Sequence, residues 1–99
     1  SPQCKPFFDP GQLAWAGNEV PLSHAGETLR IDRLVQMAAD GVWWVLDYKL
    51  SASPQELPAN LDQLRRYREL VARLQPGEVV RAAFIAAGGR LVEIDSLAD

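Results

Sequence analysis

Two acids and an amine, Asp32, Asp47 and Lys49, have the types and spacing that phosphodiester hydrolysis needs. Side chains alternate faces along an extended strand, so Asp47 and Lys49 share one face with Trp43 and Val45. The apolar run at residues 42–50 follows another at 28–37, with Asp40 and Gly41 between them. Asp-Gly between two hydrophobic runs predicts a hairpin. A two-residue turn there sets Ala39 opposite Val42, Leu34 opposite Asp47 and Asp32 opposite Lys49. Directly opposed Cβ atoms lie about 5 Å apart and diagonal ones about 7–8 Å. The three polar heads then meet at one spot.

Paired carboxylates can hold a hard divalent cation such as Mg²⁺ or Mn²⁺, with the Tyr48 backbone carbonyl completing the shell. Such an ion polarises a phosphoryl oxygen and lowers the pKa of a bound water. Lys49 can orient that water and offset charge in the transition state. A plain cross-strand ion pair between Asp32 and Lys49, with Asp47 solvated, is the competing reading. Against it, Asp47 and Lys49 sit inside a heavily apolar stretch, where solitary charges are costly.

Gln63 and Tyr67, four residues apart, share one face of a predicted helix and could place a nucleic acid strand. The alternative is a surface Gln and a core Tyr. Arg65, Arg66, Arg68 and Arg73, with Arg30 and Arg33, form the only basic concentration. They spread around the helix, so a solvated, ion-paired face competes with phosphate contact. His24 stands alone in a loop and reads as a surface residue. Trp43 and Trp44 point to opposite faces, so at least one belongs to the core.

The elements that must position these residues are legible in outline. Residues 1–18 hold Pro and Gly without a period and read as an irregular lead-in, packing Phe7, Phe8, Leu13 and Trp15 elsewhere. Residues 19–24 contain Pro21 and suggest an edge strand. Ser, Pro and Asn make 51–60 a loop. Asn60 is positioned to cap a helix from 61 to about 74, ended by Pro76 and Gly77. Leu61, Leu64, Tyr67, Val71 and Leu74 form its apolar stripe. Residues 79–87 and 91–94, parted by Gly88 and Gly89, suggest a second hairpin. The order predicts one α/β (α+β) domain over 1–99, with a core from 19 and a mixed central sheet carrying a helix on one face. A single helix leaves one sheet face bare, which suggests a homodimer or a piece of a longer chain.

Composition narrows the classes. At 99 residues the chain is at most one small domain. A formal charge of −3 gives no global attraction for nucleic acid, so a DNA contact must be local. One cysteine, Cys4, forms no intrachain disulfide and fits a reducing cytoplasm. No apolar run is long enough for a membrane span, and no phosphate-loop motif marks an ATPase.

Taken together, Ile31-Asp32, then Asp47-Tyr48-Lys49, then Gln63 to Tyr67 resemble the RecB-like branch of the PD-(D/E)XK nuclease superfamily, over residues 19–74. The resemblance implies a restriction-endonuclease-like core. It also implies a Mg²⁺-dependent deoxyribonuclease, an exonuclease attached to a UvrD-like helicase motor that supplies single-stranded DNA in repair. It assigns metal binding to Asp32 and Asp47, catalysis to these acids and Lys49, and DNA placement to Gln63 and Tyr67. Glu19 is an extra candidate on the preceding strand. Two features depart from the branch: Ile31 stands where the superfamily name has Pro, and no upstream helix supplies a further ligand. The chain therefore resembles a truncated nuclease domain whose isolated form could be inactive. Two alternatives stand beside it: a catalytically inactive DNA- or protein-binding domain of the same fold, and a small structural domain with an ion pair and no site.

Overall fold

A computed structural model describes residues 2–96. Five strands form one sheet in the order β1 (Leu13–His24), β2 (Glu27–Met37), β3 (Trp43–Tyr48), β4 (Val80–Ile85) and β5 (Leu91–Glu93). Only β3 and β4 run parallel, because the helix α1 (Pro58–Leu74) makes the crossover between them. The fold is α+β, with a mixed sheet and a helix packed on one face, and the expected strand and helix order holds.

The helix begins at Pro58, whose missing N–H and fixed φ suit the first helical position. Asn60 is therefore inside the helix rather than capping it, and its amide donates to the Pro54 carbonyl at 3.1 Å. Gly77 follows with φ +84, a conformation that a side chain resists, as the chain turns toward β4. Leu64, Leu70 and Val71 are buried. Leu64 and Val71, with Leu61 and Tyr67 beside them, pack with Val45, Ala82, Phe84 and Ile94 of the sheet side, while Leu74 lies half exposed. Leu61, Leu64, Tyr67 and Val71 of the expected stripe thus face the sheet, and Leu70 is buried outside that cluster.

The bare face is only partly bare. The lead-in is not irregular throughout: it forms 3₁₀ turns at Lys5–Phe8 and Pro10–Gln12, then enters β1 already at Leu13. Phe7 folds under the sheet against Trp44, with ring centroids 5.0 Å apart. With Val35, Leu46 and Ala83 it makes a second core on the face opposite the helix. Burial there is worth roughly 2–3 kcal/mol for a ring the size of Phe7. Both Trp43 and Trp44 belong to the core, one on each face.

The central hairpin has a longer connection than two residues. Met37 N–H donates to the Val42 carbonyl and Gly41 N–H to the Met37 carbonyl, which encloses residues 38–41 as a four-residue loop. Asp40 accepts the Val42 N–H at 2.9 Å, and Gly41 adopts φ +74. Satisfying the Val42 amide through a side chain favours this wider loop over the tight turn. The register moves accordingly: Leu34 faces Val45 and Arg33 faces Leu46. Because the slip is two residues, every side chain keeps its face.

Candidate active site

Continuing the observed register by one residue past the Arg33 and Leu46 pair sets Asp32 beside Asp47, closer than the diagonal placement expected from a tight turn. Alternation back from Leu34 puts Asp32 on the helix side with Asp47, and β2 departs from alternation only beyond it, at Ile31. Trp15 and Gly17 lie on the same side as Val20, since a Cβ on Gly17 would meet the Trp15 ring at 2.7 Å and Val20 at 2.9 Å. Three residues separate Gly17 from Val20, so the pleat must skip a step between them, and Glu19 absorbs it with φ +47. The partner strand skips likewise: Ile31 and Leu34 join the same helix-side core. Asp32, between Ile31 and Arg33, sits at this break. Its carboxylate accepts the Tyr48 N–H at 2.9 Å and so holds the end of β3 where the ladder has stopped.

Asp47 is buried, 5% exposed, beside Phe84 on β4. Lys49 Nζ stands 3.1 Å from its Oδ2. That contact is one of distance rather than direction, because the buried oxygen has no aligned donor. Burial above all, then the Asp32 carboxyl within hydrogen-bonding reach, pushes the Asp47 carboxyl up to about 6, and Lys49 pulls the other way. Two acids at contact, one in a dry setting with an unaligned oxygen, fit a divalent cation better than they fit each other. Among the described residues no third His, Cys, Asp or Glu joins them. Tyr48 engages Asp32 through its N–H, and its carbonyl is the backbone oxygen nearest in sequence to both Asp47 and Lys49.

Of the helix pair, Tyr67 lies within the field of the two acids. Tyr67 packs half-buried on the helix-side core, and its hydroxyl pKa is raised by burial first and then by the negative fields of Asp47 and Asp32. Gln63 is exposed and makes no hydrogen bond among the described residues. Glu19 lies across the ladder from Asp32, between the Asn18–Arg33 and Val20–Ile31 pairs, and its carboxylate stands 4.0 Å from Arg30. His24 lies exposed beside Arg73.

The helix arginines are paired within the chain. Arg65 and Arg68 both grip Asp95, at 2.8 and 3.0 Å, and hold its carboxyl down to about 2. Arg66 pairs with Glu27, and Arg73 with Glu69. Their charges are answered locally, which favours the solvated-face reading over a phosphate track. A groove of about 500 Å³ between Arg68, Val79, Arg81 and Glu93 is lined by neither Asp32 nor Asp47. Phe84 and the buried Arg33 are the site neighbours that sequence reasoning missed. The apolar run 79–87 held the signal for the first, and nothing local signalled the second.

The raised Asp47 pKa makes a stability prediction. An unfolded Asp ionises near 3.8, whereas folded Asp47 keeps its proton to about 6. Folding therefore takes up a proton between those values, and stability falls as pH rises from about 4 to 6 and stays lower above. Asp47→Asn mimics the protonated acid. In chelator at pH 7.5 it is expected to melt higher than wild type by a few degrees, with the difference gone below pH 4. Differential scanning calorimetry across pH checks this; a variant that melts lower at pH 7.5 contradicts it.

No protein-family model matches this chain, and no curated protein does either.

Proposed function

We propose that this domain hydrolyses DNA phosphodiester bonds with a divalent metal, as the nuclease module of a helicase-linked repair protein of the RecB-like PD-(D/E)XK kind. The observation that carries the reading is the contact of Asp47 with both Asp32 and Lys49 at the end of β3. Asp32 and Asp47, with the Tyr48 carbonyl, are the groups that would hold Mg²⁺ or Mn²⁺. When bound there, such an ion supplies Lewis-acid polarisation of a phosphoryl oxygen. The Lys49 side chain is 28% exposed, so a phosphate can approach its amine. It can orient the attacking water and offset charge developing on the equatorial oxygens. Tyr67 closes the helix side of the site and can place the strand. Single-stranded DNA fed by a motor domain is the substrate form this reading favours.

Metal binding and cleavage together test it. Isothermal calorimetry with Mn²⁺, and gel assays of single-stranded DNA with Mg²⁺, should both respond to Asp32→Asn. Loss of cation binding and of product is the expected result. Binding and cleavage untouched by Asp32→Asn would rule the assignment out.

The absence of a third acidic or imidazole ligand among the described residues favours one alternative, a domain of this fold that binds DNA or protein without cutting. Cation binding without any cleavage, in the full chain that carries this domain, would support that second reading.

A further inference from the structure

Arg33 is the oddest charge in the molecule. It is 8% exposed, yet among the described residues no carboxylate lies within ion-pair distance. Its Nε donates to the Phe7 carbonyl at 2.9 Å and its Nη1 to Asn18 Oδ1 at 2.7 Å, both neutral acceptors. Its guanidinium carbon sits 4.4 Å from the centroid of the Phe8 ring. A buried cation held only by dipoles keeps its field, since nothing opposite cancels it.

Two rings flank that cation and face outward. Phe8 is 46% exposed and Tyr48 is 44% exposed, although both are aromatic side chains that burial would favour. Arg33 pairs across the sheet with Leu46, and Tyr48 follows two residues later on the same face as Leu46. Phe8, Arg33 and Tyr48 thus form a strip on one sheet face, with the Phe8 ring against the Arg33 guanidinium and Tyr48 one strand position beyond its partner Leu46 on that face. Tyr48 is also the residue between Asp47 and Lys49, and its N–H is bound to Asp32. The strip therefore begins at the candidate site and runs under the sheet, on the face away from the helix.

Every base has a π face, so exposed rings spaced around an unanswered cation suit a flexible single strand. A duplex, whose bases are already stacked, cannot use such rings. We propose that Phe8 and Tyr48, with Arg33 between them, form a stacking platform for the bases of single-stranded DNA whose backbone crosses Asp32, Asp47 and Lys49. The platform rests on the proposed function, and it adds the selector for single strands. Arg33 acts here as a positioning residue: it fixes the Phe8 ring and draws the backbone in.

Fluorescence anisotropy separates the two claims. The probes are 5′-fluorescein dT15 and an abasic oligomer of equal length, with Ca²⁺ in place of Mg²⁺. Wild type should bind dT15 about tenfold more tightly than the abasic strand. Phe8→Leu and Tyr48→Leu should each lose most of that tenfold for dT15 and almost none for the abasic strand. Leu retains apolar cover for the lead-in, and photocrosslinking of wild type to 5-iodouracil DNA gives a check that needs no variant. Its adducts should map to Phe8 or Tyr48. Equal binding of the two strands, variants with wild-type affinity for dT15, or adducts elsewhere would overturn the platform. If Lys49→Met still weakens binding in those cases, the nuclease reading survives. A wild-type chain that binds neither strand overturns both.

Discussion

Lys49→Met is expected to slow cleavage of single-stranded DNA by at least about a hundredfold while divalent-cation binding persists. Lys49 Nζ lies 3.1 Å from Asp47, and its side chain is partly exposed, so it faces both the acid and any incoming phosphate. Met keeps the unbranched stem and removes the charge. The interaction lost is one that strengthens as charge builds on the phosphoryl oxygens, so the deficit should appear in the chemical step. Cation binding should hold or tighten, because removing an ammonium leaves the two carboxylates more negative. Single-turnover rates and Mn²⁺ calorimetry on one preparation read both effects. A variant that cleaves at the wild-type rate removes Lys49 from the mechanism. One that loses cation binding as well makes it a structural partner of Asp47 only.

Phe84→Ala should cost about 3–5 kcal/mol of folding stability. Phe84 is fully buried, packs in the helix-side core and pairs across the parallel ladder with Asp47. Truncation leaves a void at the junction of helix and sheet, where no loop can collapse to fill it. For a domain of this size the melting temperature should fall by on the order of 20 °C. Cleavage should fall too, though Asp47 and Lys49 remain, since the floor that fixes β3 is gone. Urea denaturation measures the first effect; a loss under about 1 kcal/mol would show that the packing beneath Asp47 lies elsewhere. Isoleucine at the same position, which keeps most of the volume, should recover much of both losses.

The elements were legible because their signals are local. Alternating and continuous apolar runs marked β2, β3, β4 and β5 to within a few residues, and a 3.6-residue stripe marked α1. The lead-in was misread for a local reason as well. Pro and Gly hid the strand that starts at Leu13, and pairing with β2 outweighs weak intrinsic preference. The hairpin loop depended on a side chain, Asp40, reaching a backbone amide, which spacing alone does not distinguish from a tight turn.

At the site, the chain's order of residues determined that Asp47 and Lys49 share a face and that Asp32 lies on the neighbouring strand. A strand repeats every two residues, so a two-residue slip in register left that conclusion intact. Only the tertiary structure decided how near the acids come and which helix residue joins them. The four-residue hairpin loop, which sets Asp32 across from Asp47, and the bond to the Tyr48 amide bring the two carboxylates together. The same fold buries Arg33 beneath Phe8 and leaves Tyr48 outside. Burial, charge pairing and the tuning of Asp47 arise from neighbours distant in sequence, and no window along the chain contains them.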